Sequence, residues 1–434
     1  MGDHKGPPDH SAPRSPLQFM KQMAGSTSSF SLAMVGAYDM SALYDTNSDK
    51  FIFHSRKGLL MEQNKLPEFR LERWFAEFEF VPGMRNMAAS GPFAVKTGEL
   101  LELEGAETTA RYLNLDLDYI ENPGSERLRQ GVAGLYTTID DSDVRITSGA
   151  SEALLLLMWI LASPGKNIVI EEPCYGNVPG IAESLGIEVR RLPLSQEDDW
   201  KPNLEQLSRL IDEKTSLVYL VHPHNPSGSV LRREEMEAIA SITERAGALL
   251  VNDEVFRLIT LDDELLPSIV DVVENAVSVG DMTKPWGLGG LRVGWVASRR
   301  HELLDLLSSA RDYSTMCSSA PGSFLAELAL QHSAQIIAPR IAAARDNLNR
   351  LTEAITHSNG TLSWRRPEAG YTAFVQMPAN ISTTEFCRHL ARERRILLLP
   401  GGVYGSAYER FIRIGYGCDP KLFQEGLRVF LEAI

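Results

Sequence analysis

Residues 216–251 run SLVYLVHPHNPSGSVLRREEMEAIASITERAGALLV. Ser216-Leu-Val-Tyr-Leu-Val221 is a short β-branched and aromatic run that stops at the turn formers of His222-Pro-His-Asn-Pro-Ser-Gly228. Arg232 to Arg245 carries a helical pattern, and Ala248-Leu-Leu-Val251 is again a short apolar run. Strand, helix, strand at this pace predicts a crossover unit of a parallel sheet. The alternation continues outward through Val144-Arg-Ile-Thr147, Asn167-Ile-Val-Ile170, Ile187-Glu-Val189, Ala276-Val-Ser-Val279 and Leu291-Arg-Val-Gly-Trp-Val296. These runs predict an α/β domain over about 126–310 with a mostly parallel seven-stranded sheet. Longer helical stretches (Phe324 to Gln331, Ile341 to Thr356) predict a smaller α+β domain built from 71–125 and 311–434.

The 434 residues suffice for one large domain and a smaller one. A formal charge of −14 argues against nucleic acid or an anionic membrane as a partner. Leu154-Leu-Leu-Leu-Met-Trp-Ile-Leu-Ala162 is too short to span a bilayer and reads as a buried helix. The N-terminus has no apolar core followed by a small-residue cleavage site, so no secretory signal is expected. Cys174, Cys317, Cys387 and Cys418 lie far apart, without CxxC or metal spacing, which predicts reduced thiols and a cytoplasmic location. The histidines show no metal spacing either; His222 and His224 flank a rigid turn. Residues 1 to about 30 are rich in Pro, Gly, Ser and His and predict a mobile arm, with 1–70 as a whole an N-terminal arm. Ordered structure is expected from Leu71 (LERWFAEFEF).

Ligands of a parallel α/β sheet collect beyond the carboxyl ends of its strands, and unusual residues fall there. Thr147-Ser-Gly-Ala-Ser151 opens the Leu-rich helix, whose free N–H groups favour an anion. The His222–Gly228 turn can hold the Asn225 amide still. Asp253 follows an apolar strand, where a carboxylate is costly to bury without a cation or donor. Ser278-Val-Gly-Asp-Met-Thr-Lys284-Pro-Trp-Gly-Leu-Gly-Gly-Leu-Arg292-Val-Gly-Trp295 sets a Lys and an Arg eight residues apart across a glycine-rich turn. A desolvated lysine can form a Schiff base and an arginine can clamp a phosphate. A dinucleotide reading of that turn fails, because Arg292 stands where the third glycine belongs. Singly, these segments read as a helix cap, a turn, a second cap and a surface lysine. Together they supply what pyridoxal 5′-phosphate requires: phosphate donors, an amide, a carboxylate for the ring nitrogen and a lysine for the aldehyde.

From Leu71 to the C-terminus the chain resembles the fold-type I pyridoxal-phosphate enzymes of the class I/II aminotransferase superfamily. The resemblance implies that Lys284 carries the cofactor, and that Arg292, Ala150 and Ser151 hold its phosphate. Tyr175 would stack on the ring, Asn225 would bond the ring hydroxyl and Asp253 would hold the ring-nitrogen proton. Arg413 of Phe-Ile-Arg-Ile would pair with the carboxylate of an amino-acid substrate, helped by Asn225 and the backbone of Gly91. Tyr119 would reach the phosphate of a partner subunit, which implies a homodimer. Two positions depart from the pattern. Phe256 replaces a Tyr that donates to the ring oxygen, which disfavours simple transamination. Asp281 replaces a Ser or Thr donor to the phosphate, a role that then falls to Thr283.

Leu71-Glu-Arg-Trp, Ser90-Gly91 with Thr97-Gly-Glu-Leu100, Arg311-Asp-Tyr313 and Pro339-Arg-Ile with Ala344-Arg-Asp-Asn347 are similar to the capreomycidine synthase family. That family cyclises a hydroxylated arginine in antibiotic assembly. The likeness implies removal of an α-proton by Lys284, loss of a β-hydroxyl and addition of a guanidine nitrogen. The same carbanion chemistry can expel a γ-leaving group such as the sulfonium of S-adenosylmethionine. Arg311 and Tyr313 are expected at the substrate, with Tyr371 and Tyr404 at its border. Lys96, in the stretch 90–97 expected near the substrate, would repel a guanidinium and attract an anionic group. Three readings follow: elimination with replacement or cyclisation, an ordinary aminotransferase using a 2-oxo acid, and a non-catalytic binding module. The last is disfavoured, because the N-terminal arm lacks the basic residues and helical period of a DNA-binding domain.

Overall fold

The computed structural model describes residues 66–161, 163–262 and 264–434. The expected N-terminal arm lies outside the described residues up to position 65. In chain order the strands are β1 (Arg85–Asn86), β2 (Val144–Thr147), β3 (Asn167–Glu172), β4 (Glu188–Pro193), β5 (Thr215–Val221), β6 (Leu249–Asp253), β7 (Val277–Asp281), β8 (Gly294–Ala297), β9 (Thr372–Gln376), β10 (Ile396–Leu397), β11 (Leu399–Pro400) and β12 (Phe411–Gly415).

Seven of them form one sheet in the order β2-β8-β7-β6-β5-β3-β4. Pairs within β3 to β7 are parallel, and β8 runs antiparallel to both its neighbours. Each expected apolar run is a strand of this sheet. The central strands are buried on both faces, which is why they read as continuous apolar runs. Side-chain alternation divides them between two cores. Leu217, Tyr219, Val221 and Val251 face the core that continues into the C-terminal part of the chain. Val218, Leu220 and Leu250 face the core shared with Leu128, Leu325 and Leu328. Asp253 follows Val251 by two residues and so points to the first side, where β9, β11 and β12 form a small antiparallel sheet.

β4 extends four residues past the expected run. It is an edge strand with mostly accessible side chains, so Arg190 and Arg191 are tolerated there and mask its signal. The helix Ser333–His357 passes through Pro339, where sequence reading would stop it. The aromatic segment after Leu71 forms the helix Arg70–Phe78, which buries Leu71, Trp74, Phe75 and Phe78 at helical spacing. β1 pairs with β10, tying this N-terminal segment to the small sheet's side of the molecule. Among the described residues no helix is long and apolar enough to cross a membrane.

Candidate active site

A cleft of about 430 Å3 opens beyond the carboxyl ends of β5, β6 and β7, bordered by the helix Arg70–Phe78 and by β12. Lys284, Asp253, Asn225, Ala150, Ser151, Thr283, Arg292, Tyr175, Gly91 and Arg413 all line it, so ten positions spread over more than 300 residues converge. The single antiparallel strand explains how. Because β8 pairs with β7 and β2 at once, Gly294 lies opposite both Asp281 and Thr147. The connection 282–293 therefore leaves and returns at one edge, carrying Lys284 out and Arg292 back beside the turn that opens the helix Ala150–Leu161.

The packing of that turn leaves no room for a side chain. A Cβ on Gly149 would stand 2.4 Å from the Arg292 Nη2, and one on Gly294 would stand 2.6 Å from the Ala150 backbone nitrogen. Arg292 adopts a left-handed backbone (φ 52°) and donates to the carbonyls of Gly289 and Ser148. A guanidinium and a helix start meet here, which is the donor set for a phosphate.

Asp253 is buried, accepts the Val255 N–H (3.2 Å) and the Tyr219 hydroxyl (3.1 Å), and has no cation within ion-pair distance among the described residues. Burial, with Asp281 adding to it, pushes its carboxyl up to about 7. Lys284 donates to Ser90 Oγ at 3.1 Å and lies 6.0 Å from the Phe256 ring centre. Burial favours its neutral amine, reinforced by Arg413 and opposed by Asp281, Asp253 and Glu72. Asp281 turns onto its own loop and accepts the Thr283 N–H at 2.9 Å.

Arg413, on β12, is 1% exposed. It donates to Asn225 Oδ1 (3.1 Å), the Tyr404 hydroxyl (2.9 Å) and the Ala88 carbonyl (2.7 Å). Its Nε has no partner, and no carboxylate lies within ion-pair distance among the described residues. A buried guanidinium in that state fits a carboxylate brought in by a ligand. Tyr175 donates to Glu72 Oε1 at 2.5 Å.

Other expected residues lie elsewhere. Arg311 does not reach the cleft. It is buried against Glu152 (3.5 Å) and bonds the Asn122 carbonyl and Ser318 Oγ, so it secures the interior. Tyr313 is 84% exposed. Lys96 points to solvent with an 86% exposed side chain, 3.8 Å from Glu99, and does not line the cleft, so it does not contact a substrate there as expected. Tyr119 is exposed and outside the cleft of its own chain. Tyr371 is fully buried, and Tyr404 acts on the cleft only through Arg413. His222 and His224 are buried as well, on Glu171 (2.6 Å) and on Ser227 and the Pro173 carbonyl. Sequence reading missed Tyr219, Ser90 as the lysine's acceptor, and the cleft residues Glu72 and Glu79. Glu72 and Glu79 are seven residues apart on a helical segment, a spacing that places them on one face.

The sequence profile described as aminotransferase class I and II matches residues 107–430. The chain belongs to the aminotransferase class I and II family. It is 31% identical over 371 residues to the capreomycidine synthase of Streptomyces vinaceus, covering 85% of this chain and 94% of that one. A pyridoxal-phosphate-dependent aminotransferase from Streptococcus suis superposes with a TM-score of 0.80 at 29% identity, over 85% of this chain and 98% of the other. The pyridoxal-phosphate-dependent cyclase OrfR gives 0.77 at 28% identity, over 84% and 97%. This member of the family is an enzyme, and pyridoxal 5′-phosphate is its expected cofactor. The site's own chemistry fits the group: a buried carboxylate without a cation at ion-pair distance, a partly buried amine and a guanidinium at a helix start are the complements of its ring nitrogen, aldehyde and phosphate.

Proposed function

We propose that the enzyme removes the α-proton of an amino acid and then expels a β- or γ-leaving group, with replacement or ring closure, in natural-product biosynthesis. Two comparisons made in different ways carry this reading: a capreomycidine synthase in sequence and a cyclase in structure. Pyridoxal 5′-phosphate, held by Ala150, Ser151, Thr283, Arg292, Asn225, Asp253 and Tyr175, supplies an electrophilic carbon for the substrate amine and an electron sink beside the α-carbon. Arg413, which lines the cleft, takes the α-carboxylate, which orients the α-hydrogen. The Lys284 amine, whose neutral form burial favours, accepts that hydrogen as a proton. The resulting ammonium stands ready to return the proton to a departing hydroxyl, which leaves as water with its bonding pair. The buried Asp253 carboxylate holds positive charge at the ring nitrogen.

Phe256 supports the same reading: it is buried beside Lys284 and offers no hydroxyl to the ring oxygen. We also propose a homodimer with shared active sites. Tyr119 is 77% exposed, with Leu113 and Leu117 exposed in the same stretch and Trp159 on the helix that opens at Ala150. The partner subunit's Tyr119 would complete the phosphate site. Sedimentation of the holoenzyme as a monomer would exclude this.

Mass spectrometry of products from the holoenzyme and a panel of amino acids, including S-adenosylmethionine, tests the reaction. Substrate that has lost water or a thioether, without glutamate formation from 2-oxoglutarate, is the expected result. Glutamate formed in step with a keto product would establish the ordinary aminotransferase instead.

A further inference from the structure

The cleft holds more negative charge than its chemistry uses. Among the described residues its three cations are committed: Lys284 to the reaction, Arg292 to the phosphate and Arg413 to the α-carboxylate. Of its four carboxylates, Asp253 faces the ring nitrogen and Asp281 accepts a backbone N–H of its own loop. Glu72 and Glu79 remain. Together with Phe75 they form one stripe along the helix Arg70–Phe78 and the residue after it, and all three line the cleft. Phe75 faces the Arg413 guanidinium at 5.9 Å, so the stripe runs past the cation assigned to the ligand's carboxylate.

Neither glutamate has a basic group within ion-pair distance among the described residues; Lys284 acts on both only at longer range. Glu72 accepts the Tyr175 hydroxyl. Glu79 accepts Asn86 Nδ2 at 3.2 Å, and Asn86 is held in that orientation because its Oδ1 takes the N–H groups of Ala88 and Ala89 at 3.0 Å each. Both carboxylates are thus fixed in place by neutral donors, one bond each, which leaves acceptor capacity facing the cleft. Glu79 is partly desolvated, and burial together with Glu72 disfavours its charge, opposed in part by Lys284. An arriving cation relieves both effects.

We propose that Glu72 and Glu79 form a specificity wall that selects an α-amino acid whose side chain carries a positive charge, such as a guanidinium, an ammonium or a sulfonium. This rests on the reading of the cleft as an amino-acid site, but not on which reaction follows. It reverses the substrate charge expected from Lys96.

The test is binding to the holoenzyme, read from the change in cofactor absorbance on addition of cationic amino acids and close neutral counterparts: arginine and citrulline, lysine and 2-aminoheptanoic acid, S-adenosylmethionine and S-adenosylhomocysteine. In at least one pair the cationic member is expected to bind about tenfold tighter or more, the scale of a hydrogen bond to a charged group. Glu72→Gln with Glu79→Gln should abolish that preference while the neutral member binds as before. Each single variant, with one carboxylate left, should show an intermediate preference, which keeps the measurement available if the double variant does not fold. The same affinity within every pair, or a preference that survives both substitutions, would overturn the proposal. Because the readout precedes turnover, glutamate formation alongside a cation preference would refute the elimination chemistry and leave the wall standing.

Discussion

The Tyr219 hydroxyl donates to Asp253 Oδ2 at 3.1 Å, from the strand beside the one that carries the carboxylate. Leu217, Tyr219 and Val221 share a face of β5, so a residue that reads as core supports the acid at the centre of the site. Loss of this donor in Tyr219→Phe removes an interaction that lowers the Asp253 pKa. About 1 kcal/mol is at stake. Cofactor affinity, measured by titrating the apoenzyme, should fall roughly fivefold.

Asp253 also makes the apoenzyme sensitive to pH. Its carboxyl sits at about 7 in the fold and at about 3.9 in an unfolded chain. The folded state therefore binds the extra proton between those values, and stability falls as pH rises through that window. The cost above pH 7 is at most about 4 kcal/mol. Asp253→Asn should raise the apoenzyme Tm at pH 8 but change it little at pH 4. The same substitution should sharply weaken cofactor retention, since a cationic ring nitrogen then meets no charge. An unchanged Tm difference between pH 4 and 8 would contradict this account.

Lys284→Ala should lower turnover by about 10²- to 10⁴-fold, the range for a lost proton-transfer group. Borohydride treatment followed by peptide mass spectrometry should find the reduced cofactor on the peptide containing Lys284 in the wild type and on no peptide of the variant.

Two buried arginines should behave in opposite ways. Arg413→Lys keeps a charge but loses the forked donor set, and kcat/KM should drop about 10- to 100-fold with little change in Tm. Arg311→Met leaves Glu152 buried without its cation and should cost about 3–5 kcal/mol of stability. Whatever Arg311→Met enzyme folds should keep a wild-type KM, because Arg311 touches no part of the cleft.

Gly294→Ala places a Cβ within 2.6 Å of the backbone that opens the phosphate helix. The turn 149–150 has to move, since backbone cannot swing aside as a flexible side chain can. Affinity for pyridoxal 5′-phosphate should fall by tenfold or more, whereas affinity for unphosphorylated pyridoxal should hold.

The sheet was legible because its strands are buried on both faces and separated by turn formers, and the ligand edge follows from the topology of such sheets. Lys284, Asp253, Asn225 and Arg292 were legible because each breaks an apolar or glycine-rich context at a strand end. What escaped did so for physical reasons. Glu72 and Glu79 sit on a helix whose apolar stripe dominates the pattern, so their charges read as solvent-facing. Arg311 reads as available because charged residues are mostly exposed; only the fold reveals the carboxylate buried against it. Lys96 sits six residues from Ser90 in sequence, yet the chain turns it outward at the start of the helix Thr97–Glu102.

β8 is the one strand of the large sheet that runs against its neighbours. A crossover there would have sent the chain through a helix and delivered Arg292 to the opposite rim. Reversal instead makes the distance between the anchor for the reacting carbon and the anchor for the cofactor's tail depend on a single short hairpin. Loop-length drift, tolerated at most surface connections, is therefore closed to this one. Insertion or deletion of one residue between Lys284 and Arg292 would throw two chemically unrelated contacts out of step together.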